Sequence, residues 1–157
     1  MCDYIESPWG DRKGIYLVGK VGSGKSTAMK AFSRLLRIKI DSEESIHSPV
    51  KYIKSSSLND EFDRSSGDTQ YVEWASRYKH IIIDDVGAED PFDSYNKRYH
   101  FGPLVLAVYD MENRPTIHLT TNIKPPAVIA MYGERVMDRL AEITTKIEFI
   151  TPKSYRL

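Results

Sequence analysis

The stretch GKVGSGKS, Gly19 to Ser26, decides how the rest of this 157-residue sequence is read. It fits the pattern G-x-x-x-x-G-K-[ST] and stands between a short apolar run, IYLV at 15–18, and a segment with helical spacing. Glycines at these places permit backbone angles that side chains forbid, so successive N–H groups can surround a phosphate. A helix beginning near Lys25 adds the positive end of its dipole. The Lys25 ammonium is placed to meet β- and γ-phosphates, and the Ser26 hydroxyl suits Mg2+. The expected ligands are ATP and Mg2+, with Gly19, Gly22, Ser23, Gly24, Lys25, Ser26 and Thr27 lining the site.

Outward from this loop, helices and strands alternate. STAMKAFSRLLR carries apolar residues at Ala28, Ala31, Phe32, Leu35 and Leu36, which is helical spacing. A weak strand follows at VKYIK (50–54), then a serine-rich loop with a short helix, then a helix at YVEWASRY (71–78). HIIIDD (80–85) is the strongest strand. A long loop over 87–100 leads to a helix at PLVLAVYDMENR (103–114), a strand at TIHLTTN (116–122), two helices at 125–133 and 134–143, and a last strand at KIEFI (146–150). The continuously apolar strands at 15–18 and 80–84 belong to a parallel sheet covered on both faces. The expectation is a three-layer α/β domain spanning 1–157, with 1–13 as an N-terminal extension, and ligands bind such sheets at the strands' carboxyl ends.

Composition bounds the function. Lysines and arginines number 22, as do the acids, so nucleic acid is not attracted by net charge, and DNA contact must come from a local patch or a partner. Hydrophobic residues make up 41%, enough for a real core. Cys2 is the only cysteine, which excludes an internal disulfide and fits a reducing cytoplasm. With no membrane-length apolar run and no signal-peptide pattern at the N-terminus, the expectation is a soluble cytoplasmic protein without membrane contact. His47, His80, His100 and His118 are scattered and suggest core or surface roles, not a metal site.

Two further stretches suit phosphate chemistry. In HIIIDDVG, Asp84 falls at a strand's carboxyl end, where it can hold the Mg2+ shell, and Asp85 can orient or deprotonate an attacking water. In HLTTN, Asn122 is either a turn residue or, as third in this order of elements, an amide that senses the γ-phosphate or the water. A third stretch poses a question. YGERVMDRLAE (132–142) places Arg135 and Arg139 one helical turn apart, where like charges repel by a few tenths of a kcal/mol (about 0.2–0.5). Asp138 and Glu142 could screen them on a solvated face, or an anion from elsewhere could meet them.

GKVGSGKST, IIIDDVG, LTTN and above all YGERVMDRL followed by a strand and SYR give the chain its resemblance to a family. From about Lys13 to Arg156 it resembles the AAA+ ATPases, specifically the bacterial helicase-loader branch (DnaC and DnaI) and its transposition-helper relative IstB. The resemblance implies a five-stranded sheet of order 5-1-4-3-2, an AAA+ core without the C-terminal helical lid, and Mg-dependent ATP hydrolysis between subunits of a homo-oligomer. It makes Arg139 an arginine finger that reaches a neighbour's γ-phosphate, with Arg135 assisting or securing the interface, and Val136, Leu140 and Ile143 packed inward. Asp85 stands where the family more often has glutamate, one methylene longer, which implies slow hydrolysis. The implied partners are a second copy and a replicative helicase or a transposase; separately, Tyr95, Lys97, Arg98 and Tyr99 could stack on and pair with single-stranded DNA, or belong to an ordinary exposed loop with snorkelling aromatics. The loaders' helicase-gripping segment would have to come from another polypeptide or from a truncated region. Two other readings stand beside this one: a P-loop kinase acting on a small metabolite, for which no arginine-rich lid loop is visible, and a nucleotide-dependent scaffold that hydrolyses little.

Overall fold

The computed structural model describes residues 13–41, 50–62, 67–93, 95 and 98–150. Most of the N-terminal extension, Cys2, His47, Lys97 and the SYR at 154–156 lie outside them.

Five strands form one parallel sheet: β1 (Gly14–Gly19), β2 (Val50–Lys54), β3 (His80–Val86), β4 (Thr116–Thr121) and β5 (Thr144–Phe149). Their spatial order is β2-β3-β4-β1-β5, which is the expected 5-1-4-3-2 read from the other edge. Ile81, Ile82 and Ile83 are all fully buried, because successive side chains of β3 enter the cores on opposite faces. One core packs β1 and β3 against helix α1 (Lys25–Asp41) through Ile15, Leu17, Ile82, Met29, Phe32, Leu36 and Ile40. The other gathers Val18, Ile81, Ile83, Leu119, Leu104, Val108 and Leu140 beneath the remaining long helices. Burying each such side chain contributes about 1.5–3 kcal/mol against chain entropy.

The inward face of α1 follows Phe32, Leu36 and Ile40 at four-residue spacing, and Leu35, expected on that face, is 43% exposed. Short helices α2 (Leu58–Glu61) and α3 (Thr69–Ala75) follow β2, the first after a 3-10 turn at Ser55–Ser57. Helix α4 runs Phe101–Tyr109, starting two residues earlier and ending five earlier than its pattern suggested. Pro103 fits because a first-turn N–H has no intrahelical partner. The segment 110–114 leaves the helix ahead of Pro115, whose ring disfavours α geometry at Arg114. Helix α5 (Pro125–Tyr132) and helix α6 (Glu134–Ile143) meet at Gly133, with φ of 93°. β5 follows α6 without a loop, and the Thr144 hydroxyl donates to the Leu140 carbonyl at 2.5 Å, capping a helix-end carbonyl.

Candidate functional site

The phosphate-loop pattern lands where its physics requires, between the carboxyl end of β1 and the first turn of α1. Gly22 and Gly24 have φ of 78° and 91°, the left-handed region that non-glycine residues rarely enter. At Gly19 a side chain would strike the Phe149 carbonyl, 2.6 Å from an ideal Cβ, so β5 also shapes the loop. Lys25 is buried, and its Nζ donates to the carbonyls of Gly19 and Lys20, each at 2.8 Å, and to Ser23 Oγ at 3.4 Å. The ammonium is thus held at the floor of the loop, aimed by contacts within six residues.

A cleft of about 290 Å³ opens above the loop, lined by Val21, Gly22, Gly24, Lys25, Ser26, Thr27, Asp85 and Asn122. Two of the distant residues expected at the site, Asp85 from β3 and Asn122 after β4, therefore meet it. Asp84 is buried beside them, 3% exposed. Its neighbour Asp85 is the extra residue of a bulge: β3 and β4 stay in register to Ile83–Leu119, then resume at Val86–Thr121. Asp85 is also the only described non-glycine residue with positive φ, 62°. Asp tolerates that region better than most residues, and strain of this kind gathers at functional sites.

Thr120 organises the pair of acids. Its hydroxyl donates to Asp84 Oδ1 at 2.6 Å and accepts the Asp85 N–H at 2.8 Å. From the other side the Ser55 hydroxyl, just past β2, donates to the Asp85 carbonyl at 2.6 Å. One hydroxyl on β4 and one just past β2 therefore pin the bulge. Tyr52 lies on the same face of β2, where burial first and the Asp84 carboxylate second push its phenol well above the usual range. The Thr121 hydroxyl donates to the Val86 carbonyl at 2.6 Å and accepts the Ile123 N–H at 3.2 Å, which turns the chain at Asn122. A buried carboxylate, a serine hydroxyl and a positive phosphate cradle form a donor set suited to a polyphosphate with a hard divalent cation.

Arg135 and Arg139 are brought together on α6 but do not line this cleft. Val136, Leu140 and Ile143 are buried at 2%, 0% and 5% exposure, as the stripe suggested. Arg139 is half-buried. Its Nη1 donates to Glu142 Oε1 at 2.8 Å and to the Tyr109 hydroxyl at 3.2 Å, and its guanidinium lies 4.2 Å from the Tyr109 ring centroid. Glu142 thus offsets the repulsion between the arginines, while Arg135 stays exposed. Among the residues expected to meet DNA, Tyr95 is 98% exposed, but Tyr99 packs edge-to-face on Tyr132 at 5.4 Å.

The sequence reading missed Thr120, Ser55 and two residues farther out, Glu89 and Tyr132. Thr120 left a trace: in TIHLTT the polar positions alternate, so one polar row had to find partners inside a buried sheet. The histidines are less scattered than they looked. His118 Nδ1 accepts the Ile15 N–H at 3.1 Å, and its Nε2 meets His80 Nδ1 at 3.1 Å, at the opposite end of the sheet from the cleft.

No protein-family model and no curated protein matches the sequence. Solved structures do. The crystal structure of the DnaC helicase loader aligns over 95% of this chain and 85% of its own, at 17% identity and a TM-score of 0.61. DnaI aligns over 95% of this chain and 80% of its own, at 20% identity and a TM-score of 0.65. This chain shares its fold with these two helicase loaders. Domain III of the Thermotoga maritima replication initiation protein DnaA has it as well, over 97% of this chain and 60% of its own, at 15% identity and a TM-score of 0.66. In the arrangement found here, the phosphate loop, Asp85 of β3 and Asn122 line one cleft with Asp84 buried beside it, and the arginines of α6 stand apart.

Proposed function

We propose that this chain binds ATP with Mg2+, hydrolyses it at a site completed by a second copy, and acts as a helicase-loader-like factor in DNA replication. The observation that carries the reading is the division of the machinery. Among the described residues the cleft is lined by Lys25, Ser26, Asp85 and Asn122 but by no arginine, whereas α6 presents Arg135 and Arg139 elsewhere on the surface.

In this reading the Lys25 ammonium turns from the loop carbonyls to the β- and γ-phosphates. Ser26 and Asp84 hold the cation, with Asp84 aimed by Thr120. Bound there, Mg2+ neutralises phosphate charge and orients the triphosphate. Asp85 accepts a proton from, or orients, the attacking water, and Asn122 hydrogen-bonds the γ-phosphate or that water. Arg139 exchanges Glu142 for the γ-phosphate of a neighbour, where an added guanidinium can raise turnover by about 10³-fold or more. Arg135 assists it or anchors the contact. The shorter Asp85 side chain keeps turnover slow. A replicative helicase is the partner most in keeping with the fold, and single-stranded DNA would meet the surface around Tyr95 and Arg98.

The test is complementation. Arg139→Ala should bind nucleotide as the parent does yet hydrolyse it poorly, and Lys25→Ala should not bind it productively. Mixed, the two should recover part of the turnover, since one brings the arginine and the other the intact loop. Specific activity should also rise with protein concentration. Activity per chain that is constant on dilution, with no recovery on mixing, would make the site self-contained and Arg139 a surface residue.

A further inference from the structure

A buried acid that the reading above does not use lies four residues beyond Asp85. Glu89 is 7% exposed, and a carboxylate so buried is costly unless its oxygens are hydrogen-bonded. Both are: Oε2 accepts the Gly87 N–H at 2.9 Å, and Oε1 accepts the Tyr132 hydroxyl in a short contact. Tyr132 is the last residue of α5. Its ring packs edge-to-face on Phe101, 4.9 Å between centroids, so the side chain is fixed at both ends. Burial and the Glu89 carboxylate push the phenol far above its ordinary range, which keeps it a donor at any working pH.

What this contact joins matters more than its strength. On one side, the loop of Glu89 begins at Gly87, where a Cβ would come within 2.7 Å of Ile123, the residue after Asn122. The loop therefore touches both the strand end that carries Asp85 and the turn that carries Asn122. On the other side, Tyr132 is followed by Gly133, with φ of 93° and open space where a Cβ would be, and then by α6 with Arg135 and Arg139. A glycine corner lets the residue before it share, with the buried stripe of Val136, Leu140 and Ile143, in setting the entry angle of α6. That residue is held by Glu89.

We propose that Glu89 and Tyr132 form a strap between the nucleotide-sensing end of the sheet and the arginine-bearing helix, with Glu89 a positioning residue that sets where this chain's arginines meet a neighbour's site. The inference rests on the shared-site reading above and deepens it. Movement at Asp85 or Asn122 is carried through Gly87 and Glu89 to Tyr132, and from there to the corner that aims Arg139.

Tyr132→Phe keeps the ring and deletes the donor; Glu89→Gln keeps the shape and weakens the acceptor. Each should bind a fluorescent ATP analogue within about twofold of the parent and lose turnover by about tenfold, the scale of one hydrogen bond to a charged group. Mixing either with Lys25→Ala should recover turnover, because the defect lies in the arginine the variant offers and not in its own cleft. The double variant should be no worse than the single ones. Unchanged turnover in both, a loss that mixing does not recover, losses that multiply in the double variant, or loss of the cooperative thermal transition in both would each overturn the strap. If one variant alone fails to fold, the other carries the test. Arg139→Ala assayed in parallel separates the two levels: if it keeps full turnover the shared site itself fails, and if it behaves as expected while Tyr132→Phe does not, only the strap fails.

Discussion

Thr120→Val offers a sharp test of how the acids at the end of β3 are held, because valine has nearly the shape of threonine and none of its hydrogen bonding. Thr120 is 1% exposed, so no water replaces what is lost. Asp84, also buried, loses the hydroxyl that donates to it at 2.6 Å, and the Asp85 N–H loses its acceptor at 2.8 Å. A hydrogen bond to a charged group is worth about 1.5–3 kcal/mol, and an abandoned backbone N–H adds about 1 kcal/mol at a partly exposed position. The added methyl returns about 0.8 kcal/mol. The net loss is about 2–3 kcal/mol, a large share of the roughly 5–15 kcal/mol that holds a domain folded, and it should lower Tm by about 4–12 °C. Urea unfolding with and without Mg2+ and nucleotide would measure it. Thr120→Ser, which keeps the hydroxyl, should lose only about 1 kcal/mol and match the parent in the proposed metal requirement of nucleotide binding. Were Thr120→Val within about 0.5 kcal/mol of the parent with an unchanged Mg2+ requirement, the reasoning that Thr120 organises the pair would be refuted.

Two further outcomes are expected. Asp85→Asn should fold and bind ATP with Mg2+ as the parent does, since asparagine tolerates positive φ, yet hydrolyse it poorly; undiminished turnover would remove Asp85 from the chemistry. For His118, burial first and the neighbouring His80 second hold the imidazole well below its ordinary range. The unfolded chain therefore binds a proton that the native state refuses, so stability present above about pH 6.5 should fall as pH drops, by up to about 1.4 kcal/mol per unit. Denaturant midpoints between pH 7.5 and 5.5 would reveal the slope, and a flat profile would contradict it.

What was legible in the sequence was local. GKVGSGKS specifies its turn, its helix start and its ammonium within eight residues, and HIIIDD announces a strand buried on both faces. Strand order came from likeness to a family, since nothing in the strands themselves says that β1 lies between β4 and β5. The partners of the acids were hidden because they are far away in the chain: Thr120 stands 36 residues from Asp84, and Tyr132 stands 43 from Glu89. A pattern with a period of two or 3.6 carries no information at that distance. The arginines show the converse. Their spacing looked repulsive, but Glu142 three residues on and Tyr109 from α4 supply the offset. Helix α4 ended early because an apolar spacing continued past the point where its backbone could follow.

The place of β1 in the sheet has a consequence for how the chain reaches this structure. β1 carries the loop that begins the cleft, yet its only strand neighbours are β4 and β5, and the backbone of Ile15 meets His118 across 103 residues of chain. A ribosome adding about 5–20 residues per second needs roughly 5–20 seconds to make that stretch. Throughout that interval β2 and β3 can pair with each other and take α1 onto their face, while β1 has no strand to join. Closing so long a loop before any contact rewards it is what makes parallel sheets slow to form. β1 is therefore made ahead of both strands that secure it, and the cleft exists only once β4 has arrived.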